Sequence, residues 1–189
     1  NMARSRQFAK NPSGTPEYKT LVKNYLNLAK EPASSGSKYY EILKSLLLFP
    51  NQYAYIVDYV NYDVIFARNT DKILGLPPNQ IKPNHLIEIL PFDDFKSVFK
   101  MIEQCSVIIK DRQITPVHSH IELNYRYINH KNEVRWLNRK TMVIDYDSYG
   151  NFARMLSVCT DITHYNGDNK ISGFVFDNNL FERLSINPA

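Results

Sequence analysis

The clearest alternation of apolar and polar positions lies in residues 121–127, where Ile121, Leu123, Tyr125 and Tyr127 are separated by polar side chains. A period of two buries one face of a strand, because successive side chains point to opposite sides of a sheet. A helix cannot bury one face with this period. The pattern therefore predicts a half-buried strand.

Two further β-rich runs follow, over residues 134–144 and 152–162. Turn-forming residues at 129–132 and 147–151 separate the three runs. Short polar turns of this kind join antiparallel neighbours. We therefore predict a three-stranded antiparallel meander.

The segment before the meander predicts short strands at 53–59 and 63–67 and short helices at 69–75 and 81–90. A long helix is predicted to start at the Pro91-Phe92-Asp93-Asp94 motif and to end near residue 110. Its apolar side repeats with helical spacing and is expected to face the sheet; it comprises Phe95, Val98, Phe99, Ile102, Cys105 and Ile109.

Two amphipathic helices are predicted at the N-terminus. Residues 15–29 begin with Thr15 as a candidate N-cap and Pro16 at the first helical position. Residues 37–49 form a broader apolar helix that Pro50 ends. We expect these helices to cover the sheet, to form a dimer contact, or to do both.

Several short motifs in the second half occur in one order and spacing: Tyr125-Arg126, Arg135-Trp136-Leu137, Gly150 and Asp161-Ile162-Thr163. With them the chain resembles a PAS (sensory box) domain over about residues 52–165. The family usually has Asp-Gly in its first hairpin turn, where this chain has Lys131-Asn132, but Asn also tolerates positive φ.

The resemblance implies an α+β fold with a PAS-like five-stranded antiparallel sheet and flanking helices. The expected organisation is an N-terminal helical extension over residues 1–50, a PAS-like sensor domain over 51–165, and a C-terminal linker over 166–189 toward a missing output module. Within the last segment, Phe174-Val175-Phe176 is an alternative short strand. Asn1 before Met2 looks like a cloning remnant, and the chain stops at Asn187-Pro188-Ala189 with no obvious terminating feature. A fragment of a longer protein is therefore expected.

The resemblance also implies a function without catalysis: a sensor or protein-interaction domain of a signalling protein or transcription regulator. The combination of segments resembles bacterial regulators in which a PAS unit precedes a LuxR-type helix-turn-helix. The alternative is a small α/β cone-type enzyme or a cyclase-like small-molecule binder, which would need an inward-facing His-Asp pair.

The family's usual pocket lies between the long helix and the sheet. The expected wall residues, which could also simply fill the core, are Phe66, Phe99, Ile102, Tyr125, Trp136 and Met142. Asp161 and Thr163 are candidates for signal relay, because the family uses this motif where the sheet passes to the output segment. Their alternative role is local hydrogen bonding in a turn.

The motifs of the coloured cofactors are absent from the sequence. Cys105 lacks the Asn-Cys-Arg context of flavin-binding light sensors, and residues 93–110 contain no histidine that could ligate haem. His118 and His120 point the same way on a strand, but no further ligand has metal-site spacing. We predict no haem, no flavin, no metal and no catalytic residues, with an unknown small ligand still possible.

The composition bears on the core, on nucleic-acid binding and on the cellular compartment. A hydrophobic content of 43% supports a packed core, and a net charge of +4 is dispersed rather than gathered into a basic stripe. We therefore expect no direct nucleic-acid binding. Two isolated cysteines and the lack of a long apolar run predict a cytoplasmic protein without membrane insertion.

The third β run carries apolar residues on both faces: Leu156 and Val158 alternate with Met155 and Cys159. A sheet face open to water is normally polar. We therefore predict that the N-terminal helices pack on the outer face and help to build a homodimer.

Overall fold

A computed structural model describes residues 43, 46–111, 119–165, 170–177 and 180–184. In these residues the structure gives the bounds of seven strands and three helices. They are, in chain order, β1 (Gln52–Asp58), β2 (Asp63–Arg68), α1 (Thr70–Leu74), α2 (Pro83–Glu88), α3 (Phe92–Asp111), β3 (Ser119–Ile128), β4 (Val134–Tyr146), β5 (Phe152–Asp161), β6 (Ser172–Asp177) and β7 (Leu180–Leu184).

The strands form one antiparallel sheet in the order β2-β1-β5-β4-β3-β6-β7. The predicted meander is confirmed as β3, β4 and β5, with Tyr125 opposite Leu137 and Leu137 opposite Asp161. The α+β class and the antiparallel sheet with flanking helices are confirmed as well. Two strands beyond the predicted five extend the sheet past β3.

The β3–β4 turn forms around Asn129. Its side-chain Oδ1 accepts hydrogen bonds from the backbone N–H groups of Lys131 and Glu133, both at 2.9 Å. Asn132 has φ 58°, a left-handed conformation that Asn adopts more readily than most residues. The turn chemistry of the sequence therefore produces the hairpin with Asn in place of glycine.

Helix α3 packs on the inner face of the sheet. The predicted apolar side of this helix is confirmed, because its residues lie in or against the main core. The opposing strand residues alternate with a period of two, and they include Tyr55, Leu123, Leu137 and Met155. This layer of helix over sheet creates the site described below.

The C-terminal segment joins the sheet. Strand β6 pairs with β3 from Ser119 opposite Asp177 to Asn124 opposite Ser172, and β7 pairs with β6. Val175 is only 1% exposed in the main core. The short strand considered at residues 174–176 lies within β6, and the interpretation of residues 166–189 as a linker is wrong for this part. An unpaired β3 edge can satisfy its backbone groups by pairing with a following segment.

A second, smaller cluster lies on the outer face. Leu43, at 5% exposure, packs with Ile56 and Ile144, and partly buried side chains surround them: Ile65, Phe66 and Leu156. Leu43 belongs to the predicted helix at residues 37–49. Residues 46–49 are not helical, so the prediction that this helix extends to Pro50 is wrong. Residues 37–42, 44 and 45 and the whole predicted helix at 15–29 lie outside the described residues. The described contact puts one N-terminal side chain on the outer face. Among the described helices, none has the length and apolar character needed to cross a lipid bilayer.

Candidate functional site

A cavity of about 60 Å³ lies between the helical layer and the inner face of the sheet. Its walls come from α2, α3 and strands β1, β3, β4 and β5. Most of the lining is apolar and includes Val57, Leu86, Leu90, Val98, Phe99 and Ile121. The alternation of the strands brings these side chains to one face, and the apolar side of α3 closes over them.

Arg139 is the charged member of the cavity lining. It occupies an inward position of β4, between Leu137 and Thr141 in the register of that strand. Its guanidinium carbon lies 5.5 Å from the centre of the Tyr125 ring, within the range of a cation–π interaction. The aromatic face of Tyr125 therefore helps to hold a positive charge against the cavity.

The hydroxyl groups of Thr141, Ser157 and Ser106 also line the cavity. The Thr141 and Ser157 hydroxyls are 2.9 Å apart and hydrogen-bonded across β4 and β5. Ser106 lines the cavity from α3 and donates its hydroxyl hydrogen to the Ile102 carbonyl oxygen at 2.8 Å. Burial raises the pKa of Tyr55 well above its usual value, so its phenol stays protonated. The cavity lining thus combines mostly apolar side chains with a few polar groups.

The two cysteines, Cys105 and Cys159, are both free and buried. Burial raises the pKa of the Cys105 thiol to about 12, although the charge of Arg139 opposes the shift. Burial also raises the pKa of Cys159 to about 11, again against the influence of Arg139. Both groups are neutral thiols at physiological pH and therefore poor nucleophiles.

The structure places the expected wall residues on two faces of the sheet. Phe99, Ile102 and Tyr125 line the cavity. Phe66, Trp136 and Met142 do not line it, which corrects the expectation for these residues. Met142 pairs with Leu156, and Phe66 pairs with Ile56 on the outer face. Trp136 is an odd number of residues from inward Leu137, so the strand's period of two directs it outward as well.

Sequence reasoning missed Arg139, Thr141 and Ser157. The signal that could have found Arg139 is its register, because it falls on the same face of the β4 run as Leu137 and Val143. A charged residue on an otherwise apolar inward face is rarely tolerated without a role.

A second polar site lies where β5 ends. The Asp161 Oδ2 atom accepts hydrogen bonds from the Tyr127 hydroxyl at 2.9 Å and from Arg135 Nη1 at 3.1 Å. The Thr163 N–H donates to Asp161 Oδ1 at 2.9 Å, and the Thr163 hydroxyl accepts from the Trp136 N–H at the same distance. The two candidate relay residues therefore connect β3, β4 and β5. This includes the local turn bonding that was considered as their alternative role.

The same corner holds the start of β1. The Asp161 backbone N–H donates to the Asn51 carbonyl at 2.9 Å, and Asn51 Nδ2 donates to the Asp161 carbonyl at 3.1 Å. Burial opposes ionisation of Asp161, but the hydrogen bonds from Thr163, Tyr127 and Arg135 outweigh it and lower the pKa of this carboxyl. The ionised carboxylate thus binds groups on β3, on β4 and on Thr163, and the Asp161 backbone binds the residue before β1.

Two further polar residues, Asp94 and His120, contact residues of the sheet. Asp94 is 2% exposed and its carboxylate binds Arg126 of β3 through both oxygens, with Nε to Oδ2 at 2.7 Å. His120 stacks on Phe176 with ring centres 4.5 Å apart. His118 lies outside the described residues. Within the described part of the chain, His, Cys, Asp and Glu form no group of three or more that could hold a metal ion.

Comparison with protein-family models gives no match, and no curated protein matches the chain. Solved structures do resemble it. The N-terminal domain of a diguanylate cyclase with PAS/PAC sensor from Marinobacter aquaeolei is 14% identical with a TM-score of 0.47, over 61% of this chain and 99% of that one. The PAS domain of a protein from Colwellia psychrerythraea is 12% identical with a TM-score of 0.49, over 67% and 98% of the two chains.

A sensory box histidine kinase/response regulator from Burkholderia thailandensis is 15% identical with a TM-score of 0.45. The similarity covers 67% of this chain and 86% of that one. Likenesses of this degree assign no ligand, partner or output to this chain.

Proposed function

We propose that this chain is a non-enzymatic, PAS-type sensor module that binds a small ligand between α3 and the sheet. The observation that carries the proposal is the cavity over the inner face, whose lining is mostly apolar and includes a few polar groups. Such a combination of apolar walls and a few converging polar groups is typical of small-molecule sites.

The size of the cavity supports a small, colourless ligand. Its volume of about 60 Å³ is far below the roughly 300–1,000 Å³ of pockets for drug-sized molecules and cofactors. Cys105 is also not among the residues that line the cavity. We therefore keep the prediction that neither haem nor flavin is bound.

The chemistry of the lining supports a binding role over catalysis. None of the residues that line the cavity is His, Asp or Glu, the groups that most often transfer protons in enzymes. The cone-type enzyme considered as the alternative would need such a pair facing inward.

We propose that Asp161 and Thr163 relay a signal that depends on whether a ligand occupies the cavity. Tyr125 lines the cavity, and Tyr127, two residues further on the same face of β3, donates its hydroxyl hydrogen to Asp161. A ligand that moves Tyr125 would therefore shift the Asp161 network through a rigid strand. The network reaches Asn51, where the N-terminal extension meets the sheet.

For the whole protein we propose a cytoplasmic homodimer whose C-terminal output is a LuxR-type, DNA-binding helix-turn-helix. The proposal rests on a fold suited to regulation and on the absence of effector chemistry in the cavity lining. The sequence of the full gene tests it. A kinase or cyclase after residue 189 would overturn the transcription-factor version and leave the sensor proposal intact.

Ligand binding is tested by filling the cavity from the helix. In Ser106→Leu a larger side chain enters the cavity, whereas Ser97→Leu makes the same change on α3 at a residue outside the lining. A library of small fragments is screened by amide NMR shifts on the ¹⁵N-labelled chain. We expect hits that shift residues around the cavity, that are lost in S106L and that persist in S97L. A screen without such hits, or hits unaffected by S106L, would contradict the proposal.

A further inference from the structure

We propose that α2 and the β1–β2 turn form a gate over the cavity, which opens to admit a ligand when the contacts between these two segments break. The turn comprises residues 59–62, and the gate is this turn together with α2. The inference rests on the proposed sensor function and describes how a ligand reaches the same site.

The gate forms part of the cavity wall. Tyr59 and Tyr62 line the cavity from the turn, and Pro83, Leu86 and Ile87 line it from α2. Tyr62, Leu86 and Ile87 are only half-buried, so these side chains border the cavity and also reach the surface. A ligand therefore has a short path to solvent here once the two segments separate.

Two polar contacts join the two sides of the gate. The Tyr62 hydroxyl donates to Asn84 Oδ1 at 2.6 Å, and Lys82 Nζ donates to Asp63 Oδ1 at 2.9 Å. Both contacts are exposed, and the side chains of Lys82 and Asp63 are 59% and 45% exposed. Water competes for exposed hydrogen bonds, and exposed ion pairs contribute little to stability. These contacts can therefore break and reform readily.

The backbone of the turn favours opening. Tyr62 has φ 50°, in the left-handed region that is sterically unfavourable for a residue with a side chain. Such a conformation persists only where its surroundings hold it in place. Loss of the contact with Asn84 removes one of the interactions that hold Tyr62, so the turn gains by relaxing.

The chain on either side of α2 is anchored to the β3–β4 hairpin. Upstream, Gly75 packs so closely that a β-carbon on it would lie 2.5 Å from the Cβ of His130. Downstream, the Ile128 N–H donates to the Ile89 carbonyl at 2.7 Å. Side chains that face a cavity have fewer atoms to pack against than side chains in a filled core. Movement of α2 between two fixed ends therefore opens the cavity without unfolding the sheet.

Access to the cavity is measured with a thiol probe. Ser106→Cys places a thiol in the lining from α3, outside the gate. Cys159 is buried and does not line the cavity, so its labelling reports larger unfolding. Methyl methanethiosulfonate labels both thiols, and tandem mass spectrometry measures the two rates. We expect the introduced thiol to react at least about tenfold faster than Cys159, because gate opening is a smaller and more frequent event than unfolding.

Variants in the S106C chain assign the access to the gate. Tyr62→Phe removes the hydroxyl and keeps the ring, and it should raise the ratio of the two rates about two- to tenfold, as expected for one hydrogen bond. Lys82→Met should raise the ratio by less than about fivefold. Tyr149→Phe and Lys140→Met make the same changes at exposed residues outside the cavity lining and should leave the ratio unchanged.

Amide hydrogen exchange gives a second measurement that needs no introduced thiol. In Y62F the amides of α2 should exchange about two- to tenfold faster than in the unaltered chain, whereas those of β4 should keep their rates.

Parallel labelling of Cys159 and the introduced thiol, or a rate ratio and α2 exchange that Y62F leaves unchanged, would overturn the gate. Fragment hits that S106L abolishes would in that case still support the sensor function. Faster labelling and exchange in Y62F without any fragment hit would support the gate and contradict ligand binding.

Discussion

Asp161 remains ionised in the folded chain although its side chain is largely buried. Burial opposes the charge, and the donors from Thr163, Tyr127 and Arg135 more than compensate, so the pKa lies below the ordinary value for Asp. A depressed folded-state pKa adds stability that is complete above the unfolded-state pKa of about 3.9 and is lost as the pH falls through the folded-state value.

We expect Asp161→Asn to lower the free energy of unfolding by about 1–3 kcal/mol at pH 7, because it removes charge-assisted hydrogen bonds at a junction of several segments. Urea unfolding between pH 7 and pH 3 measures the effect. The unaltered chain should lose the difference as the pH falls below about 4, so the two curves converge. Asp111→Asn, at the exposed end of α3, is the matched control. If the free energies of unfolding of D161N and the unaltered chain stay parallel over this pH range, the hydrogen bonds do not lower the pKa of Asp161.

At the scale of the elements, an ion pair attaches the start of α3 to the sheet. Asp94 is buried, and Arg126 reaches it from β3 with a side chain that is partly exposed. Removing one partner leaves a buried charge without compensation, which costs more than the pair itself contributes.

Arg126→Met should therefore destabilise the chain by about 2 kcal/mol, and Asp94→Asn combined with it should cost less than the sum of the single changes. A double-mutant cycle from urea unfolding measures the coupling. The exposed pair Lys82–Asp63, with a distance of 2.9 Å, is the control and should couple by less than about 1 kcal/mol. Equal coupling energies for the two pairs would contradict the view that burial of Asp94 strengthens its ion pair with Arg126.

The C-terminal hairpin of β6 and β7 is expected to stabilise the sheet and to protect its β3 edge. It covers the β3 edge from Ser119 to Asn124 and adds Val175 to the core. An uncovered edge exposes unpaired backbone groups that can pair with another chain.

Ending the chain after Tyr165 should lower the urea midpoint and promote aggregation, which light scattering measures. Ending it after Leu184 keeps the hairpin and should change neither quantity. A shortened chain that remains soluble, monodisperse and equally stable would show that β3 does not need this cover.

At the scale of the whole molecule, the outer sheet face is expected to receive the N-terminal extension. Leu43 already packs with Ile56 and Ile144 there. Burial of apolar surface contributes about 25 cal/mol per Å², so an exposed patch of several hundred Å² would be both costly and adhesive.

We expect deletion of the residues before Gln52 to cause aggregation or loss of a dimer, because Leu43 is then removed from the outer face. Size-exclusion chromatography with light scattering measures the mass. Deletion of residues 1–14, which precede the predicted helix at 15–29, is the control and should preserve the association state. If the chain from Gln52 onward is soluble, folded and unchanged in association, the extension neither covers the outer sheet face nor forms a dimer.

Much of the fold was predictable because local patterns carry it. The alternation around Tyr125 predicted β3, and the helical spacing through Val98 and Ile102 predicted the buried side of α3. The site was predictable only in part. The run of β4 is apolar on both faces, so its pattern could not tell that Met142 faces outward and Arg139 faces the cavity.

The sequence by itself determined the α+β class, the meander and the layer of α3 over the sheet, because each depends on periodicity and turn residues within a short stretch. The tertiary structure alone decided that β6 joins β3, since that pairing links residues about fifty positions apart, such as Leu123 and Gly173. It also decided that Arg139, Thr141 and Ser157 meet in one cavity. Such meetings depend on strand order and register, which no local pattern encodes, because the neighbours of a strand are chosen by the packing of the whole sheet.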